Sequence, residues 1–247
     1  SIETDKDQVT CLKTSAGDFY AESYILATGG TSRPETGSTG DGYTWLKNIG
    51  HHVIFPKPSL VPVLVAETWV KDLAGLSLED TNIALYEDDS LISKHLGKVL
   101  FTHNGLSGPG ILNLSTIIGD ALPHGKVTIK INTAPNYTEE ELTNSLRDTC
   151  ITSANKKIKN ILSDFIPTAL VTVILNQTQI DSERKCNTIT RQERHQLVLV
   201  MRGLPLTITD LLGPEKAIVA SGGVDLPEID FKSMSSKLFS NLYIIGD

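Results

Sequence analysis

The residues best placed to do chemistry in this chain are glycines. Tyr24-Ile25-Leu26-Ala27-Thr28-Gly29-Gly30 reads as an apolar strand that stops on Thr-Gly-Gly, and Thr36-Gly37-Ser38-Thr39-Gly40-Asp41-Gly42 follows at once. Backbone without side chains can lie close against a large flat or phosphorylated ligand, so the two clusters point to a nucleotide cofactor. A tight strand-to-loop turn would use the same glycines, and on these residues alone the two readings are even. A phosphate-binding transferase ranks last, because the Gly37 to Gly42 loop lacks the lysine that P-loops place after their glycine.

Other candidate constellations are weaker. Gly105-Leu106-Ser107-Gly108 approaches a nucleophile elbow, but the pattern needs glycine at the next position, which is Pro109; Ser107 reads better as a helix cap. His51-His52 has no carboxylate or third histidine at ligand spacing, so a surface loop and no metal site are expected. His103, in Thr102-His103-Asn104-Gly105, has the ring chemistry of an acid or base, or else orders a loop. Lys156-Lys157-Ile158-Lys159 and Arg191-Gln192-Glu193-Arg194 read as solvated helix faces. A basic face could also attract an anionic nicotinamide cofactor.

These residues sit in a chain of 247 residues, 40% hydrophobic and 21% charged, of ordinary globular composition. It has no apolar run of the roughly 20 residues a membrane helix needs, and its N-terminus has no signal-peptide pattern. Acidic residues outnumber basic ones 29 to 22, for a net charge of −7, which argues against a nucleic-acid partner. Cys11, Cys150 and Cys186 are far apart and in no CxxC spacing, which fits a reducing, cytoplasmic setting.

The positioning elements follow from periodicity. Val9 to Lys13 and the stretch from Phe19 should form a hairpin about Ser15 to Asp18. A helix is expected from Asp41 to Ile49, capped by Thr39 and stopped by Gly50. Val61 to Val65, Ile83 to Tyr86, Val99 to Thr102 and Lys126 to Asn132 read as strands, and Val127, Ile129 and Ile131 alternate most clearly. A helix should interrupt them from Gly108 to Ile118. From Thr138 the period becomes helical: Thr138 and Glu141 make a capping box ahead of Leu142, Leu146 and Cys150. Further helices are expected over Lys156 to Leu162, Pro167 to Asn176 and Thr190 to Met201. Strands then return at Ala217 to Ala220 and Leu242 to Ile245, with Gly222-Gly223 between them. The fold class is α+β: a small antiparallel barrel or sheet with a helical-bundle insertion.

The ordered series ILATGG, TGSTGDGY, Gly50-His51, Pro58-Ser59-Leu60-Val61-Pro62, Leu100-Phe101-Thr102-His103 with Gly105 to Pro109, Ser221-Gly222-Gly223-Val224, Met234-Ser235-Ser236-Lys237 and LYIIGD resembles the BaiN/YhiN-type flavoproteins. These are FAD-binding oxidoreductases of NAD(P)/FAD-dependent or aminoacetone-oxidase-like type. The resemblance runs from about Val9 to the end. It implies that residues 1–58 and 217–247 form parts of a Rossmann-like FAD-binding lobe, with a barrel over 59–135, a helical insertion over 136–203 and a return strand over 204–216.

No GxGxxG is present, so the resemblance implies the interior of a flavoenzyme, without the family's first FAD segment or the segment after Asp247. Weak or absent FAD binding by this stretch alone is then expected. The resemblance implies cofactor contacts at Ala27, Thr28, Gly29, Gly30, Thr36, Gly37, Ser38, Gly40, Asp41, Gly42, Gly222, Gly223, Gly246 and Asp247. The Asp247 carboxylate would accept a bond from a ribityl hydroxyl. Met234 to Lys237 would be mainly structural. Expected partners are a small-molecule substrate and NAD(P)H, with no nucleic acid and no membrane; no catalytic residue is assigned. The alternative is a non-enzymatic protein-binding module made of the barrel and bundle.

Overall fold

The computed structural model describes residues 1–32 and 34–246. The chain forms two compact units, Ser1–Val61 with the segment from Leu212 onward, and Pro62–Leu211. In chain order the first unit opens with β1 (Ile2–Asp5), β2 (Gln8–Thr14), β3 (Gly17–Phe19) and β4 (Tyr24–Leu26), then α1 (Asp41–Asn48) and β5 (Val53–Ser59). The second unit holds β6 (Val63–Val65), β7 (Ser77–Glu87), β8 (Ser90–Phe101), β9 (Gly105–Ser107), α2 (Pro109–Leu112), α3 (Ser115–Ala121) and β10 (Val127–Ile131). It continues through α4 (Glu139–Thr152), α5 (Ile158–Leu162), α6 (Thr168–Gln177), α7 (Arg191–Arg202) and β11 (Leu204–Leu211). The chain then returns to the first unit as β12 (Val219–Val224), β13 (Ile229–Asp230), β14 (Ser235–Ser236) and β15 (Leu242–Ile244).

The second unit is an α+β body built on a closed six-stranded antiparallel barrel in the order β10-β11-β6-β9-β8-β7. Its strands alternate because one face fills the barrel: Val127, Ile129 and Ile131 of β10 are buried, as are Ile83 and Leu85 of β7, Val99 and Phe101 of β8, and Leu204 and Leu206 of β11. Each such side chain contributes about 1.5–3 kcal/mol on burial. The helices share this core through Leu142, Leu146 and Cys150 of α4, Leu170 and Ile174 of α6, and Leu197, Val198 and Met201 of α7. Two of them start on reciprocal capping boxes, Thr138 with Glu141 and Thr190 with Glu193.

The first unit is thinner. β1, β2 and β3 make an antiparallel meander, and a second sheet runs β13-β14-β15-β4 with β15 and β4 parallel. β5 pairs with β12. Among the described residues its core cluster has five buried members, Val9, Tyr24, Leu46, Phe239 and Leu242.

Several local expectations are corrected. The helix expected from Gly108 to Ile118 is two helices, because the Leu114 N–H bonds back three residues to Ile111 and tightens the turn between them. Ser107 belongs to β9 and does not cap; the N-cap position is Gly108. α1 likewise begins on Gly40, in the left-handed region at φ 80°, while the Thr39 hydroxyl donates to Asp41 Oδ2 at 2.8 Å. Gly222 and Gly223 lie inside β12, where the register against β5 shifts between Ser221 and Gly223. Among the described residues no helix is long and apolar enough to cross a membrane.

Candidate functional site

The first unit contains a cavity of about 500 Å³, within the ~300–1,000 Å³ usual for ligand pockets. The end of β4 and the turn after it supply Leu26, Ala27, Thr28, Gly29 and Gly30, the first turn of α1 supplies Gly42 and Tyr43, and β12 supplies Gly222 and Gly223. Ser38 and Gly246 are also in the lining. Nine of the fourteen residues proposed from sequence therefore meet around one space. Thr36, Gly37, Gly40 and Asp41 lie in the neighbouring loop and helix start, outside that lining, and Asp247 lies outside the described residues.

Gly29 has φ +70°, and a Cβ on it would stand 2.6 Å from Ser38 Oγ. A Cβ on Gly42 would overlap Thr28 Oγ1, so the start of α1 can approach the end of β4 only without a side chain. Among the described residues no side chain caps α1; the Tyr43 N–H turns back to the Gly40 carbonyl at 3.1 Å, and the positive end of the helix dipole stands at a cavity wall.

Tyr43 is the polar anchor that sequence reading passed over, although it stands within the quoted TGSTGDGY run. A Cβ on Gly30 would stand 2.8 Å from its hydroxyl, and one on Gly223 would stand 3.5 Å from its ring, so the phenol is clamped between two glycines. Burial raises its pKa above the ordinary value of 10, which keeps it a hydrogen-bond donor at neutral pH. Among the described residues Ser32 Oγ, also in the lining, is buried with no hydrogen-bond partner. A buried hydroxyl without a partner is costly, and a ligand with an acceptor would relieve it.

The opposite wall is apolar. Ile218, Leu226, Phe231 and Ile245 line the cavity while being 52%, 62%, 61% and 49% exposed. Met234 completes it in a left-handed backbone conformation, φ 60°, at the end of the β13–β14 turn. Bare backbone, a few donors and an apolar wall fit a flat aromatic ring carrying polar edges and an anionic tail, as in a flavin nucleotide.

A buried polar cluster backs this wall. His51 is sealed from solvent, contrary to the expected surface loop: Nδ1 lies 2.6 Å from Glu228 Oε2 and Nε2 lies 3.0 Å from Ser236 Oγ. Ser236 Oγ accepts from the Leu238 and Phe239 N–H groups, so its own hydrogen is directed to His51 Nε2. Nδ1–H then donates to Glu228. The order Ser-His-Glu matches a hydrolase triad, but Ser236 is buried and its lone pairs are taken, so the cluster is a brace, not a nucleophile. His52 sits beside it in the open, near Asp225.

Elsewhere the candidates stay dispersed. His103 is exposed on the β8–β9 turn. Burial raises the Cys150 and Cys186 thiols, the latter to about 12, which leaves both protonated and unreactive. Among the described residues no group of three or more metal-ligating side chains occurs.

Residues 57–219 match the HI0933-like protein barrel and H2TH domain, about two thirds of the chain. The chain belongs to the HI0933-like family. A ribosomal RNA dihydrouridine synthase of Haemophilus influenzae is 31% identical over 248 aligned residues, which cover all of this chain and 58% of the relative. One of the same name from Escherichia coli is 27% identical over 229 residues, 92% of this chain and 54% of the relative. A 3-dehydro-bile acid delta(4,6)-reductase of Clostridium scindens is 24% identical over 237 residues, 96% and 58% respectively. The chain thus spans less than three fifths of the length of these relatives. The BaiN/YhiN resemblance is upheld: this HI0933-like chain falls within a family of flavoprotein oxidoreductases.

Proposed function

We propose that this chain is part of an FAD-dependent reductase that saturates a carbon–carbon double bond conjugated to a carbonyl, with NAD(P)H as the electron source. The cavity of the first unit carries this reading, because it gathers the glycine backbone, the Tyr43 and Ser32 hydroxyls and the apolar wall around a space of ligand size. The reaction class comes from what the relatives' names share. Dihydrouridine is uridine with the ring bond beside a carbonyl saturated, and a Δ4,6 reductase of a 3-oxo steroid acts on bonds conjugated to that ketone.

A flavin bound in the cavity would supply hydride transfer. The residues of the chain do the positioning. Ala27 to Gly30 and Gly42 let backbone approach the ring system, and the start of α1 favours an anionic group at its N-terminus. Tyr43 and Ser32 offer hydroxyl donors to acceptor edges. Ile218, Leu226, Phe231 and Met234 would offer one side of the ring an apolar face, and the His51-Glu228-Ser236 brace fixes the turn that carries Phe231 and Met234.

The test uses the protein at its natural full length. Its absorption spectrum should show bound flavin, anaerobic NADH or NADPH should bleach it, and a uridine-containing RNA or a dienone steroid should reoxidise it while gaining two hydrogens. A colourless protein that takes up no added FAD would favour the protein-binding module.

A further inference from the structure

Sulfur is unevenly placed in this chain. Its sulfur-bearing residues are Cys11, Cys150, Cys186, Met201 and Met234. The three cysteines and Met201 are buried, Met201 with no exposed surface. Burial also keeps Cys150 and Cys186 protonated, and oxidants attack the thiolate. Met234 differs, because it is only half-buried and lines the cavity of the first unit. A small oxidant that enters that cavity meets this thioether ahead of every other sulfur.

The backbone at Met234 gives a second, independent sign. It lies in the left-handed region, φ 60°, in the turn that joins β13 to β14, where glycine or asparagine would sit with less strain. Two backbone bonds hold it there: the Met234 N–H donates to the Asp230 carbonyl at 2.7 Å, and the Met234 carbonyl accepts from the Ile244 N–H at 2.9 Å. Ser233 and Ser235, on either side, are joined through their hydroxyls at 2.7 Å. A long side chain kept at a strained position and tied from both sides points to a role for the atoms it carries. To the lining it shares with Leu226 and Phe231 it adds a soft, polarisable thioether, of the kind that packs well against an aromatic ring.

We propose that Met234 is an oxidation site, converted to its sulfoxide by hydrogen peroxide, and that this change loosens the hold of the cavity on its flavin. The inference rests on the reductase reading and adds a means of regulating the same site. Dioxygen that meets a reduced flavin takes two electrons and two protons from it and becomes hydrogen peroxide. The Met234 sulfur attacks one peroxide oxygen; the O–O bond breaks and an S–O bond forms. The proton of the transferred oxygen passes to the departing hydroxide, which leaves as water. Sulfur is oxidised by two electrons, and the peroxide is reduced by the same two. The product is polar where the thioether was apolar. Set between an apolar wall and a bound ring, that new dipole costs free energy, and the flavin is held less tightly. Methionine sulfoxide reductases reverse the step.

The experiment treats the FAD-loaded full-length protein with hydrogen peroxide, follows each methionine by peptide mass spectrometry, and reads retained flavin by absorption after desalting. Met234 should gain its oxygen at least ~10-fold faster than the buried Met201. Flavin should be lost in step with that gain, and methionine sulfoxide reductases of both stereospecificities should restore its uptake. Whatever flavin Met234→Leu carries at the start, it should keep through the treatment, whereas Met201→Leu should lose flavin as the wild type does. Equal oxidation of the two methionines, full flavin retention by protein oxidised at Met234, or an equal fractional loss in Met234→Leu would overturn the proposal. The same samples keep the two ideas separate. A flavin-loaded protein indifferent to Met234 oxidation removes the proposal and spares the reductase; a flavin-free protein that still gains oxygen first at Met234 removes the reductase and spares the oxidation site.

Discussion

The two units of this chain are held together by different means. The barrel and helices fill a large apolar core, with Phe101, Leu106, Ile129 and Leu142 wholly buried. Among the described residues the glycine-rich unit has five buried members in its core cluster, and its distant segments are joined by polar ties: His51 with Glu228 and Ser236, and Asn241 bonded to the Val9 N–H and carbonyl. It also leaves Ile218, Leu226 and Phe231 exposed around its cavity. A unit that spends its glycines and apolar side chains on a cavity wall has fewer left for a core. Its stability should therefore depend on a ligand, which binds the folded state and stabilises it by mass action, whereas the barrel's should not.

Substitutions can break or sharpen that contrast. Phe101→Ala opens a cavity in the barrel and should cost about 3–5 kcal/mol in chemical denaturation, with or without added FAD. Ser236→Ala removes the hydroxyl that joins His51 to the Leu238 and Phe239 N–H groups; it should cost about 1–3 kcal/mol, and added FAD should restore part of the loss in thermal unfolding. Thr190→Ala removes the capping box of α7 and should cost about 1 kcal/mol, independent of flavin.

The smallest effect is titration. The Arg184 guanidinium beside Glu193 holds its carboxyl at about 2, and Lys157 with Lys159 hold Glu183 at about 2, against an ordinary value of 4.5. Both shifts are downward, so the stability they contribute is present above pH 4.5 and is lost as pH falls from there toward 2. Both groups are solvent-facing, so the loss is small; comparing melting of wild type and Glu193→Gln across that range should show it, with the difference vanishing at the acid end.

Much of the architecture was legible where one force acted alone. The alternation of Val127, Ile129 and Ile131 and the Thr138–Glu141 box each report a local rule, and the structure contains both. The glycine clusters pointed to a space because few other structures need Gly29 and Gly42 so close to neighbours. What sequence hid was contact between distant segments. His51 meets Glu228 and Ser236 across more than 170 positions, and a lone histidine before another carries no local sign of burial. Gly222 and Gly223 were expected between two strands; they lie inside β12, where a shift of register against β5 uses their positive φ.

The most direct test of the central claim uses Gly246, which lines the cavity and has open space where a Cβ would go. Flavin content should be measured by visible absorption in the full-length protein and in Gly246→Leu, with unfolding followed in parallel. The account predicts a yellow wild type and a variant that has lost its flavin while the barrel unfolds at an unchanged denaturant concentration. A colourless wild type, or a variant that retains its full flavin content, would contradict it.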